Sequence, residues 1–551
     1  MGKASELMAG SAIRKISGGS VPSVPLPGSD AGRPAPAASY FRDTRSGVFA
    51  TRPVALRNAR DDVRRAWPRS AALAIDLMQN SGRLRGAADQ VITDTVGTGL
   101  SLNFQPRFTG TGMSESEQKQ FIEDVKTWWR DWSRNPRECD QRGKFTIAQL
   151  IDISLRWNMA FGEVTGLVEF MPRAHQRRYN IESGTKLCLV PPSQLVQETN
   201  AHTGLFQGVW HDENGRPNGY RFKDLSKGYE TVKDYPAYMR SGMPYVLHIF
   251  DADDATSVRG ISVMAAAFRK HIQHEQLDDA TLQAAILQTV FAATLTSEMP
   301  TEDALAGIEA LKDAADHQKG TQLQSEYIDY LTYSMKAAAE NAVQFGSDPQ
   351  INHLAPGETF NIETAKTPGA QYLPFSTNLA RDMARALGVT FGGFTMNHEN
   401  ATYSSTRMES ATIWPIATRR RERIASPICQ NVFDAGLDEQ IRLGRIAFGP
   451  GYRFFAAHRA GLCRAQWRGP AKPSADDYKS ARAASERLEN GTSSIDIECS
   501  EMGQDPDQVR ADRLRDHQWY IDHNMASPYA RDTSQRPDLK DDDQPKGGAQ
   551  Q

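Results

Sequence analysis

Two stretches begin like a zinc-binding helix and stop short of it. His274-Glu275-Gln276-Leu277-Asp278 and His398-Glu399-Asn400-Ala401-Thr402 supply the first His and the Glu of H-E-x-x-H without a second imidazole, so neither can chelate zinc that way. His271 and His274 stand at i and i+3, on one helix face, and read as polar face residues or as two ligands of a shared metal. Gly97-Thr98-Gly99 and Gly110-Thr111-Gly112 lack the third glycine of a dinucleotide fingerprint and read as turns. Asp251-x-Asp253-Asp254 lacks the glycine and distal glutamate of a calcium loop and reads as an acidic cluster at a helix N-terminus. No G-x-x-x-x-G-K-[ST] phosphate cradle and no G-x-S-x-G elbow occur. Acid, base and nucleophile are nowhere assembled, so the sequence predicts neither enzyme nor cofactor nor metal site.

The elements that would carry these residues change character along the chain. Residues 1–44 are rich in Ser, Gly, Pro and Ala and read as a flexible arm. Residues 526–551, with Asp541-Asp542-Asp543, read as a solvated tail. Ser114-x-x-Glu117 predicts a capping box for a helix over 114–134, with Phe121, Val125, Trp128 and Trp132 on its apolar stripe. A second helix follows at about 145–160, then β-like runs at Glu163–Met171, Lys186–Val190, Gly208–His211 and Tyr245–Phe250. Turn clusters, among them Asn214-Gly215 and Pro217-Asn218-Gly219, separate them. Residues 262–294 lack Pro and Gly and predict a long helix, roughly 45 Å, with Met264, Phe268, Ile272, Leu282, Ile286 and Val290 on one face. A shorter helix at 376–387 ends at Gly388, a Gly- and Asn-rich loop follows over 390–402, and a long helix from Ser404 to Phe433 is expected to kink at Pro415. Two or three helices fill 473–520.

Composition bounds the function. The 551 residues hold 64 Lys and Arg against 67 Asp and Glu, a net charge of −3, which disfavours simple gripping of nucleic acid. No apolar run reaches the roughly 20 residues of a membrane span, and mean hydropathy is −0.55. Cys139, Cys188, Cys429, Cys463 and Cys499 show neither CxxC spacing nor disulfide density, as in a reduced, cytoplasmic protein. The charge is nevertheless blocked. Residues 261–387 carry eight Lys and Arg against sixteen Asp and Glu, whereas 405–470 carry eleven against five. Such blocks suit an assembly whose parts face different surroundings.

Taken in order, several segments resemble the portal proteins of lambda-like tailed bacteriophages. They are His248-Ile249-Phe250 with Arg259-Gly260-Ile261-Ser262, then His353-Leu354-Ala355-Pro356-Gly357-Glu358, Ala386-Leu387-Gly388-Val389-Thr390 and Asn400-Ala401-Thr402-Tyr403-Ser404-Ser405-Thr406-Arg407. Glu498-Cys499-Ser500-Glu501-Met502-Gly503-Gln504-Asp505 resembles the C-terminal helix–turn of that family. The resemblance spans about 45–520 and implies an α+β subunit of a homo-oligomeric, dodecameric ring at one capsid vertex of the virion, assembled in the host cytoplasm. Double-stranded DNA would enter and leave through that ring. Its implied partners are the terminase large subunit, a head–tail connector protein, and the major capsid and scaffold proteins, with no membrane. The implied parts are a wing (45–255), a stem helix (256–297), a clip (298–366), a second stem helix (367–388), a tunnel loop (389–403), a spine helix returning to the wing (404–472) and a crown (473–525). A nuclease or terminase-like protein of phage or prophage origin is the alternative.

A conduit must surround a polyanion without holding it, since each neutralised phosphate adds salt-sensitive affinity. Asp278, Asp279, Glu302 and Asp303 are the candidates for an acidic wall. Arg269, Lys270, Arg381 and Arg385 either face DNA or pair locally, with Glu275 and Asp382 as the nearby carboxylates. In the implied tunnel loop Gly392 and Gly393 would give backbone freedom, while Asn397, His398 and Asn400 offer neutral hydrogen-bonding groups to phosphates.

Overall fold

Side-chain caps fix most of the helix starts. The computed structural model describes residues 59–224, 228–252, 254–289, 293–296, 359–362, 371–399, 401–474 and 476–529, all within a unit that begins at Ala59. α1 (Ala59–Asn80) leads into α2 (Gly82–Val96), where the Ser81 hydroxyl accepts from the Leu84 amide. After β1 (Ser101–Phe104), α3 (Glu115–Arg134) opens on the expected Ser114/Glu117 capping box. α4 (Pro136–Cys139) is one turn, and α5 (Ile147–Phe161) opens on a second box, Thr146 with Gln149. Phe121, Val125, Trp129 and Trp132 of α3 are buried; Trp128, expected on the stripe, is partly buried against the same core, stacked on Trp132 at 5.8 Å and close against Gly436.

Four of the strands lie where the sequence placed β-like runs. β2 (Glu163–Phe170) is followed by α6 (Arg173–Tyr179) and β3 (Thr185–Leu189), then β4 (Leu205–Phe206), β5 (Val209–His211), β6 (Pro217–Asp224), β7 (Thr231–Pro236) and β8 (Val246–Phe250). They form two antiparallel sheets, ordered β3-β2-β8 and β4-β5-β6-β7. Pro217-Asn218-Gly219, read as a turn, is instead the start of β6: Pro217 faces His211 across a register shift, and the turn is at Gly215, φ +80°.

The long helix is shorter than expected. A 3-10 turn (Val263–Ala266) precedes α7 (Phe268–Thr289), and β9 (Ala293–Thr296) pairs antiparallel with β10 (Thr359–Ile362). Residues 293 and 294, assigned to a helix from periodicity, are therefore strand, as their Ala-Thr-Leu-Thr run permits once a partner is present. α8 (Tyr372–Leu387) ends at Gly388 in the left-handed region, φ +73°. α9 (Phe391–Thr395) and α10 (Tyr403–Arg420) follow, and a π turn (Arg421–Ala425) joins α10 to α11 (Ser426–Arg442). The irregularity expected at Pro415 thus has its widest turn six residues later, ahead of Pro427, where the Ser426 amide reaches the Arg421 carbonyl. α12 (Tyr452–Ala457), α13 (Arg459–Leu462), β11 (Ala465–Arg468), α14 (Asp477–Glu489), α15 (Ile495–Glu501) and α16 (Pro506–Asp522) complete the order.

One apolar core joins distant sequence. β1 pairs with β11 across more than 360 residues, Ser101 opposite Arg468 and Phe104 opposite Ala465. Phe104, Phe121, Trp129, Phe433 and Trp467 meet there, with the Trp129 and Trp467 centroids 5.1 Å apart and Phe104 edge-on to Phe433 at 5.5 Å. Each such pair contributes about 0.5–1.5 kcal/mol beyond its area burial. This core holds α11 against the early helices and so fixes where α10 emerges.

Candidate functional site

Arg259-Gly260-Ile261-Ser262 docks into the corner where α5 gives way to β2. Arg259 is fully buried, with Nε donating to Glu163 Oε1 at 2.9 Å and Nη2 donating to the same carboxylate. Its remaining N–H groups reach the carbonyls of Pro192 (2.9 Å) and Leu195 (3.3 Å), and its guanidinium lies 4.0 Å from the Trp67 ring centroid. The other Glu163 oxygen accepts from His248 Nε2 (3.0 Å) and from the Gly260 amide (3.2 Å). Burial alone would raise the Glu163 pKa, but Arg259 and then His248 outweigh it and hold the carboxyl below its ordinary range. A side chain at Gly260 would collide with the Gly162 carbonyl, so close backbone approach demands glycine there. Ser262 Oγ donates to the Met159 carbonyl at 2.6 Å and caps the 3-10 turn through the Met264 amide. The Arg259 side chain, the Gly260 amide and the Ser262 hydroxyl thus fix the origin of α7.

From that origin α7 packs along α8. Arg83 Nη1 donates to His274 Nδ1 (2.9 Å), and His274 Nε2 in turn donates to Ser376 Oγ (2.6 Å). His271 Nε2 lies 3.1 Å from Ser81 Oγ and 3.0 Å from Glu275 Oε1. Burial lowers both imidazole pKa values, and the Arg83 charge lowers His274 further. Both rings are therefore neutral struts between helices, and among the described residues no group of three metal-binding side chains forms.

The candidate wall and stem charges divide. Asp278 accepts from Tyr372 Oη (2.5 Å) and pairs with Arg83 (2.9 Å), so it is engaged within the fold of its own chain. Lys270 pairs with Asp382, and the Arg381 guanidinium lies 5.2 Å from the Phe391 ring centroid. Asp279, Arg269 and Arg385 are exposed; Glu302 and Asp303 lie outside the described residues. Of the four described carboxylates between 261 and 387, Glu275, Asp278 and Asp382 have partners and Asp279 faces solvent. On α7 Leu282 is 61% exposed, and Leu373 and Phe375 on α8 are exposed too.

The loop expected over 390–403 is helical in its first part, α9 taking Phe391–Thr395, while 396–399 and 401–402 lie outside any helix. Thr390 caps α9 through the Gly393 amide (3.1 Å), and both glycines are helical rather than left-handed; Met396, at φ +54°, takes the left-handed turn. Their glycine character answers to space. A Cβ on Gly392 would sit 2.8 Å from the His398 ring, and one on Gly393 would sit 2.8 Å from the capping Thr390 hydroxyl. Met396, Asn397 and His398 are exposed at the tip, Met396 by 80%. Asn397 Oδ1 accepts from the Glu399 amide (2.8 Å), while Asn400 is outside the described residues.

Sequence reasoning missed the arginines that bind α10 to its surroundings. Arg420 donates to the Leu387 carbonyl (3.1 Å) and Arg421 to the Thr95 carbonyl (2.7 Å), so consecutive residues at the π turn satisfy the C-terminal carbonyls of α8 and α2. Arg419 and Arg423 both pair with Asp251, at 2.9 and 2.5 Å. Asp251 and Asp254 are therefore not at a helix N-terminus, since α7 starts at Phe268; Asp251 ties its loop to α10 and the π turn, and Asp253 lies outside the described residues. The run Arg419-Arg420-Arg421-x-Arg423 was the available signal. Between α8 and α10 lies an open cleft of about 420 Å³ lined by Arg381, Arg385, Glu409, Val389 and Ile413.

The family model described as phage portal protein, lambda family, matches residues 46–421. The portal protein of Escherichia phage N15 is 24% identical over 463 residues, 82% of this chain and 84% of that one. Portal protein B of Escherichia phage lambda is 24% identical over 465 residues, 82% of this chain and 83% of that one. Among solved structures, a chain from the neck of an empty gene transfer agent particle is 14% identical, with a TM-score of 0.39 and coverage of 70% of this chain and 93% of that one.

Proposed function

The chain belongs to the lambda family of phage portal proteins, and from that membership we propose that about twelve copies close into a cyclic ring through which double-stranded DNA enters and leaves a capsid. The role is structural: the protein positions and conducts DNA, and the terminase large subunit supplies the motor. In this reading the helices and sheets from α1 to β8 form the wing, α7 and α8 the stem, α9 and the turn after it the constriction, α10 and α11 the spine, and α14 to α16 the crown. The clip, 298–366, would meet terminase and later the connector. Major capsid and scaffold proteins would seat the ring at its vertex, in the host cytoplasm.

The observation that carries the reading is the match over 46–421, joined to the work its residues do. His248, Arg259, Gly260 and Ser262 anchor α7 on the wing, and the helix they launch carries the exposed Leu282 beside exposed Leu373 and Phe375 of α8. In a ring that surface is the natural face for the next subunit, because heterologous contacts that close need two dissimilar patches on each copy. The test is packaging: proheads assembled with the protein should take up linear duplex when terminase and ATP are supplied. Proheads assembled without it should take up none, and equal uptake by both would overturn the reading.

A further inference from the structure

Beyond Phe170, at the end of β2, the surface is cationic: three exposed arginines stand against one exposed carboxylate, Glu182, and the neighbouring Glu138 and Glu439 are taken up by backbone amides. Between Phe170 and Thr185 the chain has Arg173, Arg177 and Arg178 against a single acidic residue, Glu182. All three arginines are exposed on α6. Behind them, Glu138 of α4 accepts from the Glu182 and Ser183 amides, 2.9 Å each. Buried Glu439 of α11 accepts from the Gly184 and Thr185 amides, 2.7 Å each. Both carboxylates thus serve the β2–β3 connection, and among the described residues no carboxylate pairs with the α6 arginines.

Two exposed aromatic rings shape the same surface. The Arg442 guanidinium, from the end of α11, lies 5.7 Å from the Phe170 ring centroid, and Arg178 lies 5.7 Å from that of Tyr179. A ring beside a guanidinium attracts it and lowers the rotamer entropy left to lose on binding. Planar, pre-oriented arginines match phosphate oxygens two at a time. A conduit wall must not hold its polyanion, whereas four uncompensated arginines would; such a patch belongs away from the channel.

We propose that Arg173, Arg177, Arg178 and Arg442 form a second DNA-contact surface, outside the channel, which grips the sugar–phosphate backbone of duplex DNA without reading its sequence. The inference goes beyond the conduit reading and rests on it only for placing the patch outside the channel. Covalently closed circular duplex cannot thread a closed ring, so its binding to the full-length protein reports outer surfaces alone. We expect retention whose log affinity falls with log salt. The triple variant R173A/R177A/R178A should bind at least about tenfold more weakly, with a salt slope shallower by about 2 to 3 for three lost phosphate contacts. The triple Lys variant, with charge kept, should hold the wild-type slope. No retention of circular duplex would overturn the proposal. So would a triple Ala variant with unchanged affinity and slope, or competition by polyglutamate where unlabelled duplex does not compete. Packaging of linear DNA is scored separately, so failure of either reading leaves the other standing.

Discussion

Glu163 and Arg259, 96 residues apart in sequence, form a fully buried ion pair beneath the start of α7. Neither touches solvent, and each is satisfied by further hydrogen bonds to backbone or to His248. Removing one partner strands the other charge in the core. Glu163→Gln should therefore cost about 3–5 kcal/mol of stability, read as a lowered denaturation midpoint with a normal m-value. A loss below about 1 kcal/mol would mean that the pair does not hold α7 to the wing.

The α7–α8 seam should loosen in acid. His271 and His274 have folded-state pKa values below the ordinary 6.5 because burial disfavours their charged forms. As pH falls through about 6.5 the unfolded chain takes up protons that the folded chain refuses, so stability is full above that value and declines below it. His274→Gln should flatten the decline of the melting temperature between about pH 6.5 and 5. An unchanged slope would show that His274 titrates alike in both states.

Neighbouring aspartates on α7 should behave differently. Asp278 is tied to Arg83 and Tyr372, whereas Asp279 faces solvent. Asp278→Lys should destabilise the subunit by about 1–3 kcal/mol, since it leaves Arg83 beside a new cation. Asp279→Lys should melt within about 0.5 kcal/mol of wild type, as exposed substitutions do, yet slow DNA uptake because the charge repeats around the ring. Normal packaging by the Asp279 variant would show that this position does not line the wall.

Gly392→Val with Gly393→Val should disrupt α9 without touching the ring-forming faces. The added side chains meet the His398 ring and the Thr390 hydroxyl. Rings should assemble, while filled heads hold shorter or poorly retained genomes. Full-length, stably retained genomes would place the constriction elsewhere.

How much of this was legible depended on distance along the chain. The Ser114/Glu117 cap, β2, β3, β5 and β8, and the Gly388 helix end follow from local chemistry, and the sequence carried them. The Glu163–Arg259 pair, the β1–β11 ladder and the Arg83–His274–Ser376 chain join residues more than ninety positions apart, and no window of sequence contains them. Gly392 and Gly393 were misread because glycine answers two needs, positive φ or close approach, and only packing tells which applies. Trp128 and Trp129 differ by one position and both pack against the core, so the stripe alone could not say that Trp129 is the more deeply buried.

The central claim, that this chain is a ring-forming subunit, is tested most directly by the mass and image of the purified assembly. A closed ring of about twelve copies of the 61.1 kDa chain, with a central opening wide enough for duplex DNA, is the expected result. A stable monomer that remains monomeric at high concentration would contradict it.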